Sequence, residues 1–541
     1  MPLLLTVLFK SATRNASMVH PLVPDEPALE ATILETEALE APPRRWLLNA
    51  PALVALGLFT VMAIVALVTG SKLLEPDDYA YRASIEALRS GHIWLTNAQY
   101  TAMLKHFASL DGGHGMGIAQ WIHQANGHWI SEKNPGYPFF AVPFSWLGIL
   151  KVTPIFYGGL ASIALYLGGR RWLGRWGGTA TVGLFCSSGA AMVFAWRSAM
   201  PTFTDASMVA AGCGLLLWTL LATEATDRRR MFVGLLGLAS FDAAAFMRYT
   251  DLVALVVAGA TLTLVWLLAR RGIPKRAMPL WIGSQVLFGA FLVWVNFSLY
   301  GHAFSTGYSS GEITFSLGAL SGNLNVMPKN LLVTMPMMVL AVISVVWIGI
   351  AAVRARGAQG PQSTAKRDLA VAAGLTAVWL GVFGLYFCYD WTARMGMEAS
   401  SWGEVHVIRF YVPAIGALAL LGAWLLVKMP LKLAGLVVVG LMTLGLFSFH
   451  AMATSAMPGG PGGFGHSGKG LTGCPNFPKM PALRGNGGPP MGGPPGGASG
   501  GFRPPAGFTG QPPKGMPSRL PGGGGFPGRG GTLPKLPANC R

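Results

Sequence analysis

Charged residues are scarce in this chain. Only 11% of its 541 residues are Asp, Glu, Lys or Arg, whereas 52% are hydrophobic. A soluble globular protein carries roughly a quarter charged residues, so the composition excludes an ordinary soluble protein and indicates a polytopic membrane protein. Acidic residues are the scarcer sign, with 22 against 40 basic ones. Most basic residues stand in short clusters between apolar runs, as the positive-inside rule requires, so we expect no nucleic-acid partner.

Cysteine is also rare, with five residues in the chain. Cys186, Cys213 and Cys388 lie in apolar segments and are predicted to be packed thiols. Cys474 and Cys540 stand alone near the C-terminus, where a disulfide between them would require a compartment outside the cytoplasm. The start of the chain lacks the basic region of a cleavable signal peptide. Neither feature assigns a function.

Long apolar runs fill residues 50–449. A helix needs about 20 apolar residues to cross a bilayer, and we predict eleven crossings. The candidate spans are residues 50–70, 137–169, 177–195, 206–222, 231–247, 251–269, 278–299, 331–353, 369–388, 411–427 and 433–449. Pro143 and Pro154 interrupt the long second segment, which we interpret as one crossing with a broken or tilted helix. The predicted fold class is therefore an all-α polytopic membrane protein.

Basic clusters follow the spans in a regular order. They lie at Arg44–Arg45, at residues 170–175, 228–230, 270–276, 354–367 and 428–432. Counting eleven crossings from a cytoplasmic N-terminus places every cluster inside, as expected for a multi-pass protein of the plasma membrane. The same count places residues 71–136, 196–205, 300–330 and 389–410 on the extracytoplasmic side.

The composition divides the chain into three parts. Residues 1–49 include an acidic, Pro-containing stretch and are predicted to be disordered and cytoplasmic. Residues 50–450 form the membrane domain, with residues 71–136 as its first extracytoplasmic loop. Residues 451–541 are rich in Gly and Pro, contain no Asp or Glu and are predicted to be a disordered, basic, extracytoplasmic tail.

Two adjacent carboxylates follow the first span. Asp77 and Asp78 open a segment in which Tyr81, Ile85 and Leu88 recur at helical spacing, so an amphipathic helix could lie on the membrane surface. A carboxylate there can reach both a lipid-anchored substrate and an acceptor arriving from water. The alternative is that Asp77 only caps the start of this helix.

Further polar residues gather on the predicted outer face, which suggests a shared cavity. These residues are Glu132, Lys133, Arg197, Asp205, Arg248, Asp251, Glu312, Arg394, Glu404 and Arg409.

Several stretches on this face together resemble one family. They are residues 76–81 (PDDYAY), 127–138 (GHWISEKNPGYP), 196–205 (WRSAMPTFTD), Asn296 with residues 300–308 (YGHAFSTGY), 246–250 (FMRYT) and 409–413 (RFYVP). Their order and common placement resemble the GT-C superfamily of integral-membrane glycosyltransferases, and are most similar to protein O-mannosyltransferases and lipid A aminoarabinose transferases. The resemblance covers about residues 50–430.

The resemblance implies a reaction and roles for particular residues. It implies transfer of a sugar from a polyprenyl-phosphate donor to an acceptor hydroxyl on a glycan, lipid or protein, with inversion. The implied catalytic residues are Asp77, as the base, and Asp78, whose family counterpart is often Glu. The implied phosphate-binding cations are Lys133, Arg248, Arg409 and Arg197, and the substrate-facing residues are Glu132, Asp205, Tyr81 and Tyr308.

Three alternatives remain open from the residues themselves. Asp205 and Arg197 could simply form an ion pair with each other. A zinc site could be formed by the four histidines of the outer loop, His106, His114, His123 and His128, but their spacing matches no tight ligand motif. We therefore expect no resident metal or other cofactor, apart from a possible divalent cation on Asp77 and Asp78. A transporter or flippase of a lipid-linked or anionic substrate would also gather charges, but it typically shows internal repeats and charges at mid-bilayer.

Overall fold

Membrane-length helices make up most of the computed structural model. The structure describes residues 49–69, 76–110, 120–124, 126–269, 273–303, 307, 314–355, 363–393 and 405–455. Within these ranges, nine helices are long and apolar enough to cross a membrane. The protein is therefore an all-α, multi-pass membrane protein. Outside the described residues lie residues 1–48 of the predicted disordered segment 1–49, residues 456–541 of the predicted tail 451–541, and the predicted site residue Tyr308.

The helices and strands occur in the following order. They are α1 (Ala50–Val68), α2 (Pro76–Arg89), α3 (Asn97–Leu110), β1 (Trp121–His123), β2 (Trp129–Ser131), α4 (Gly136–Trp146), α5 (Val152–Cys186), α6 (Gly189–Trp196), α7 (Thr202–Leu221), α8 (Asp227–Met247), α9 (Leu252–Ala269), α10 (Ala277–Tyr300), α11 (Gly318–Thr334), α12 (Met337–Arg354), α13 (Ser363–Phe387), α14 (Val405–Ile408), α15 (Ile415–Leu426) and α16 (Leu431–Ser455). Short 3-10 turns precede α9 and α15. Residues 451–455, predicted to start the tail, belong to α16.

The sequence predicts eleven membrane spans, whereas the described residues contain nine long apolar helices, because two predicted spans belong to one helix, α5, and another is shorter. Gly174 has φ +81°, a backbone conformation that favours glycine, and interrupts α5. Gly169 lies so close to Gly178 and Thr181 that a side chain at Gly169 would contact both. Residues on the two sides of Gly174 therefore face each other, and the chain folds back there into two antiparallel arms. The second arm continues through Ser187 into α6 and corresponds to predicted span 177–195. The eleventh predicted span, 411–427, corresponds to a shorter apolar helix at Val412–Leu426.

The long segment 137–169 is two helices rather than one. α4 ends at Trp146, and α5 starts at Val152 after a turn in which Gly148 has φ +71°. The hydroxyl of Tyr157 donates to the carbonyl of Phe140 at 3.3 Å, so α4 packs back against the start of α5. The crossing itself therefore begins at Val152, and α4 is a separate short helix.

Small residues hold the centre of the bundle together. Gly168 in α5 faces Gly214 in α7 so closely that a side chain on either glycine would collide with the opposite backbone. Such contacts are typical of helix association in membranes, where close packing replaces the hydrophobic effect. They bring α5 and α7 together, and α7 carries Asp205 in its first turn.

The helix ends form two chemically distinct faces. At one end, Arg197, Arg248 and Arg409 converge on carboxylates, as described below. At the other end lie the basic clusters, where Arg171 pairs with Glu224 and the indoles of Trp172 and Trp424 donate to Asp368. The sequence prediction that these two groups of residues lie on opposite faces agrees with this arrangement.

The amphipathic helix α2 pairs with α4. Tyr81 and Ile85 are buried against Tyr137 and Ala141, and the rings of Tyr81 and Tyr137 meet edge to face at 5.9 Å. The stripe expected to lie on the membrane surface is thus covered by protein, because α4 supplies a matching apolar face. This packing fixes α2, and with it Asp77 and Asp78.

Candidate functional site

Asp77 lies between two cations. Lys133 Nζ is 2.9 Å from Asp77 Oδ1, and Arg409 Nη1 is 2.5 Å from Asp77 Oδ2. The Asp77 side chain retains 13% exposure, so it borders accessible space. Burial opposes the ionised form, but Arg409 and Lys133 outweigh it and hold the pKa of Asp77 well below its usual range. The carboxylate is therefore ionised at neutral pH.

A small hairpin delivers Lys133. β1 and β2 pair antiparallel with Trp121 opposite Ser131, and the turn between them includes Gly127, whose φ of +83° favours glycine. The backbone N–H of Lys133 donates to the hydroxyl of Ser131 at 3.1 Å. The lysine stem is buried, with 5% of its side chain exposed, so its ammonium is held in place at Asp77.

Arg409 comes from a distant part of the chain. It follows α14, and 332 residues separate it from Asp77. Its guanidinium lies over the rings of Trp391 at 5.5 Å and Phe410 at 4.8 Å. These aromatic faces favour a desolvated cation and orient its planar head.

Asp78 forms a second, fully enclosed ion pair. Arg197 Nη2 donates to Asp78 Oδ2 at 2.6 Å, and neither side chain has exposed surface. Arg197 follows the last residue of α6, where the chain turns toward α7. The alternative of an Arg197–Asp205 pair is therefore wrong, because α2 packs its own carboxylate onto Arg197.

Asp205 instead pairs with Arg248. Arg248 Nη1 donates to Asp205 Oδ2 at 3.2 Å and to the backbone carbonyl of Arg409 at 3.2 Å, while Nη2 donates to the hydroxyl of Tyr386 at 3.1 Å. Asp205 lies in the first turn of α7 rather than in a loop. Asp251 is buried beside the carboxyl of Asp205. Arg248 thus connects three helices to the backbone that carries Arg409.

Four carboxyl groups and four cations meet in this cluster. They are Asp77, Asp78, Asp205 and Asp251 with Lys133, Arg197, Arg248 and Arg409. Asp77 contacts two of the cations, whereas Asp205 and Asp251 share Arg248. The partly exposed edge of the cluster is the one at Asp77, where Lys133 and Arg409 meet.

The remaining predicted substrate residues occupy the border of this cluster. Tyr81 is buried between α2 and α4, and the backbone N–H of Glu132 donates to the carbonyl of Gln120 at 2.9 Å. The hydroxyl of Tyr300 donates to the carbonyl of Ser131 at 3.3 Å, which brings the end of α10 to the hairpin. Gly307 contacts the backbone of Glu132. Tyr300 and Gly307 therefore both lie next to the backbone of the segment that carries Lys133.

Sequence reasoning did not identify Tyr386 and Trp391. Tyr386 lies inside a predicted span, where a tyrosine carries no distinguishing signal, and a tryptophan at a loop edge such as Trp391 is typical of any membrane interface. Their contacts with Arg248 and Arg409 connect them to the site.

The histidines of the outer loop do not converge. The ring of His123 is tilted against Trp129, the ring of His128 lies against Trp94, and His106 Nε2 lies 3.8 Å from Glu86. His114 lies outside the described residues. Among the residues that the structure describes, no group of three His, Cys, Asp or Glu side chains is placed to hold a metal ion.

Comparisons with known proteins give little further information. The chain matches no family model and no curated protein. Among solved structures it is similar to ArnT from Cupriavidus metallidurans, crystallised with undecaprenyl phosphate, at 14% sequence identity and a TM-score of 0.44. The match covers 72% of this chain and 62% of the ArnT chain, so this chain spans less than two thirds of that protein's length.

Proposed function

We propose that the protein is a membrane glycosyltransferase. In this proposal it moves a sugar from a polyprenyl-phosphate donor to an acceptor hydroxyl on the extracytoplasmic face, with inversion at the anomeric carbon. The observation that carries the proposal is the placement of Asp77 between Lys133 and Arg409 at the exposed edge of the cluster. The family resemblance of the surrounding stretches agrees with it.

The two cations suit a phosphate leaving group. A polyprenyl phosphate is already anionic when it leaves, so it needs charge stabilisation rather than a proton. Lys133 offers an ammonium and Arg409 a planar fork of donors, both of which form strong charge-assisted bonds to phosphate oxygens. Arg248 and Arg197 are buried and hold Asp205 and Asp78, so we assign them positioning roles behind the phosphate-binding pair.

Donor binding would also activate Asp77. With both cations on its carboxylate, Asp77 is a weak base, because its pKa is held low. A donor phosphate competes for Lys133 and Arg409, and as they turn toward it the pKa of Asp77 rises. Asp77 then accepts the proton of the acceptor hydroxyl as that oxygen attacks the anomeric carbon. Base activation is thereby coupled to the presence of the donor.

The test is consumption of polyprenyl-phosphate sugar by membranes that contain the full chain. We expect native protein to release the sugar to an acceptor and Asp77→Asn to lose this activity at equal expression. Asp242→Asn is the matched control, since Asp242 lies within α8 and bonds to Gln285 rather than to this cluster. Equal activity of native protein and Asp77→Asn would refute the base assignment. Movement of the intact donor from one leaflet of a vesicle membrane to the other, without release of its sugar, would favour the alternative that the protein is a transporter or flippase.

A further inference from the structure

An apolar groove opens at the basic face, opposite the proposed active site. It encloses about 500 Å³ between α1, the turn of the α5 hairpin, the end of α15 and the start of α16. This volume falls within the range of roughly 300–1,000 Å³ typical of ligand pockets. Its walls are largely aliphatic and include Val54, Leu58, Leu426, Val438 and Val439.

Glycines keep this groove open. Gly174 and Gly435 both line it, and a Cβ added at either position would have no described atom within 4 Å. The space is therefore bordered by backbone where other residues would project a side chain. Because Gly435 is exposed on α16, the groove is accessible from the surrounding bilayer.

Cations stand at the mouth of the groove. Arg175 and Trp176 belong to its lining, and a side chain at Gly177 would lie 3.4 Å from Val427. This contact brings the start of the second hairpin arm to the turn that carries Lys428 and Lys432, both of which are exposed. Tryptophan and basic side chains next to an apolar slot suit the headgroup level of a bilayer. Basic pockets between transmembrane helices bind anionic lipid headgroups.

We propose that this groove binds one acyl chain of an anionic phospholipid, whose phosphate lies at Arg175, Lys428 and Lys432. Charge complementarity at the mouth distinguishes this occupant from a zwitterionic lipid. The polyprenyl donor is a separate ligand, because its phosphate belongs at Lys133 and Arg409 on the opposite face. The proposal therefore does not depend on the reaction proposed above.

Native mass spectrometry of the delipidated full chain tests the charged part of the site. The protein is titrated with phosphatidylglycerol and with phosphatidylcholine of identical acyl chains, and we expect tighter binding of phosphatidylglycerol. Arg175→Gln and Lys428→Gln should each weaken phosphatidylglycerol binding about fivefold, since each basic residue contributes roughly 1 kcal/mol, and should leave phosphatidylcholine binding unchanged. Arg228→Gln, an exposed residue of the same face outside the groove, is the control and should have no effect.

Two glycine substitutions on one helix test the apolar part. Gly435→Phe places a ring in the groove, whereas Gly440→Phe lies on the same helix outside the groove lining. At both positions the first side-chain atom, Cβ, would have no described atom within 4 Å, so either substitution can be accommodated at the backbone. We expect Gly435→Phe to abolish the preferential binding of phosphatidylglycerol and Gly440→Phe to retain it. Equal binding of the two lipids by native protein, or equal effects of the two glycine variants, would overturn the proposal.

Discussion

The buried pair of Asp78 and Arg197 yields a quantitative prediction about stability. Both side chains are fully enclosed, and the 2.6 Å bond joins α2 to the α6–α7 connection. Arg197→Met removes the guanidinium from the Asp78 carboxylate, and Asp78→Asn removes the negative charge beside Arg197. Either change therefore removes one partner of an ion pair that is enclosed away from water.

The expected magnitude follows from the cost of an uncompensated buried charge. Removing one partner of a buried ion pair typically costs about 3–5 kcal/mol, whereas replacing both charges is often nearly neutral. We therefore expect each single variant to lose about 3–5 kcal/mol of unfolding free energy, and the double variant Asp78→Asn/Arg197→Met to lose much less than the sum of the two.

Equilibrium unfolding in mixed micelles, followed by far-UV circular dichroism, measures these differences. Arg228→Met is the matched control, since Arg228 is exposed and such surface substitutions usually change stability by less than about 0.5 kcal/mol. Strictly additive single effects would show that the two residues do not interact. A loss below about 1 kcal/mol for Arg197→Met would show that water reaches the pair.

Three further predictions concern the candidate site and the glycines Gly174 and Gly136. The pKa of Asp77 is lower in the folded protein than in the unfolded chain, where it is about 4, so ionised Asp77 stabilises the fold above pH 4, and this stabilisation is lost as the pH falls toward the folded pKa. In thermal melts, the stability difference between native protein and Asp77→Asn should therefore be constant from pH 6 to 8 and shrink below pH 4. Tyr386→Phe removes the hydroxyl that accepts from Arg248 and should lower turnover of polyprenyl-phosphate sugar severalfold, an interpretation that unchanged kcat and KM would contradict. Gly174→Ala should cost about 1–3 kcal/mol in micelle unfolding through backbone strain alone, since a side chain there meets no described atom. Gly136→Ala should cost more, because its Cβ would collide with the Phe246 backbone, and the opposite order would refute the described packing.

Several parts of the fold could be predicted because their cause is local. Apolar runs long enough to cross a bilayer specify helices without reference to the rest of the chain, and most predicted spans correspond to observed helices within a few residues. The α5 hairpin was predicted as two spans because Arg170, Arg171 and Arg175 separate its apolar arms. The segment 137–169 was harder, since its two prolines permit both a bent crossing and a separate α4.

The partners of the charged residues could not be predicted in the same way. Arg197 lies close to Asp205 in sequence, yet it pairs with Asp78, 119 residues away, because α2 docks on α4 and presents its carboxylate there. Arg409 contacts Asp77 from a position 332 residues further along the chain. The hydroxyl of Tyr386 accepts a hydrogen bond from Arg248 because α13 lies near the end of α8 at the site. The apolar stripe of Tyr81 and Ile85 was expected to lie on the membrane surface, but α4 covers it, because the spacing of apolar residues does not reveal whether lipid or protein lies against them.

The sequence by itself determined the membrane class, the order of the spans, the placement of the basic clusters and of the candidate site residues at opposite helix ends, and the prominence of Asp77 and Lys133. These follow from hydropathy, charge and short motifs, which act over a few residues. Only the tertiary structure decided which cation neutralises which carboxylate, which of them border accessible space, and where an apolar groove stays open. Those properties depend on how distant helices pack, and packing brings together side chains whose separation along the chain carries no information about their contact.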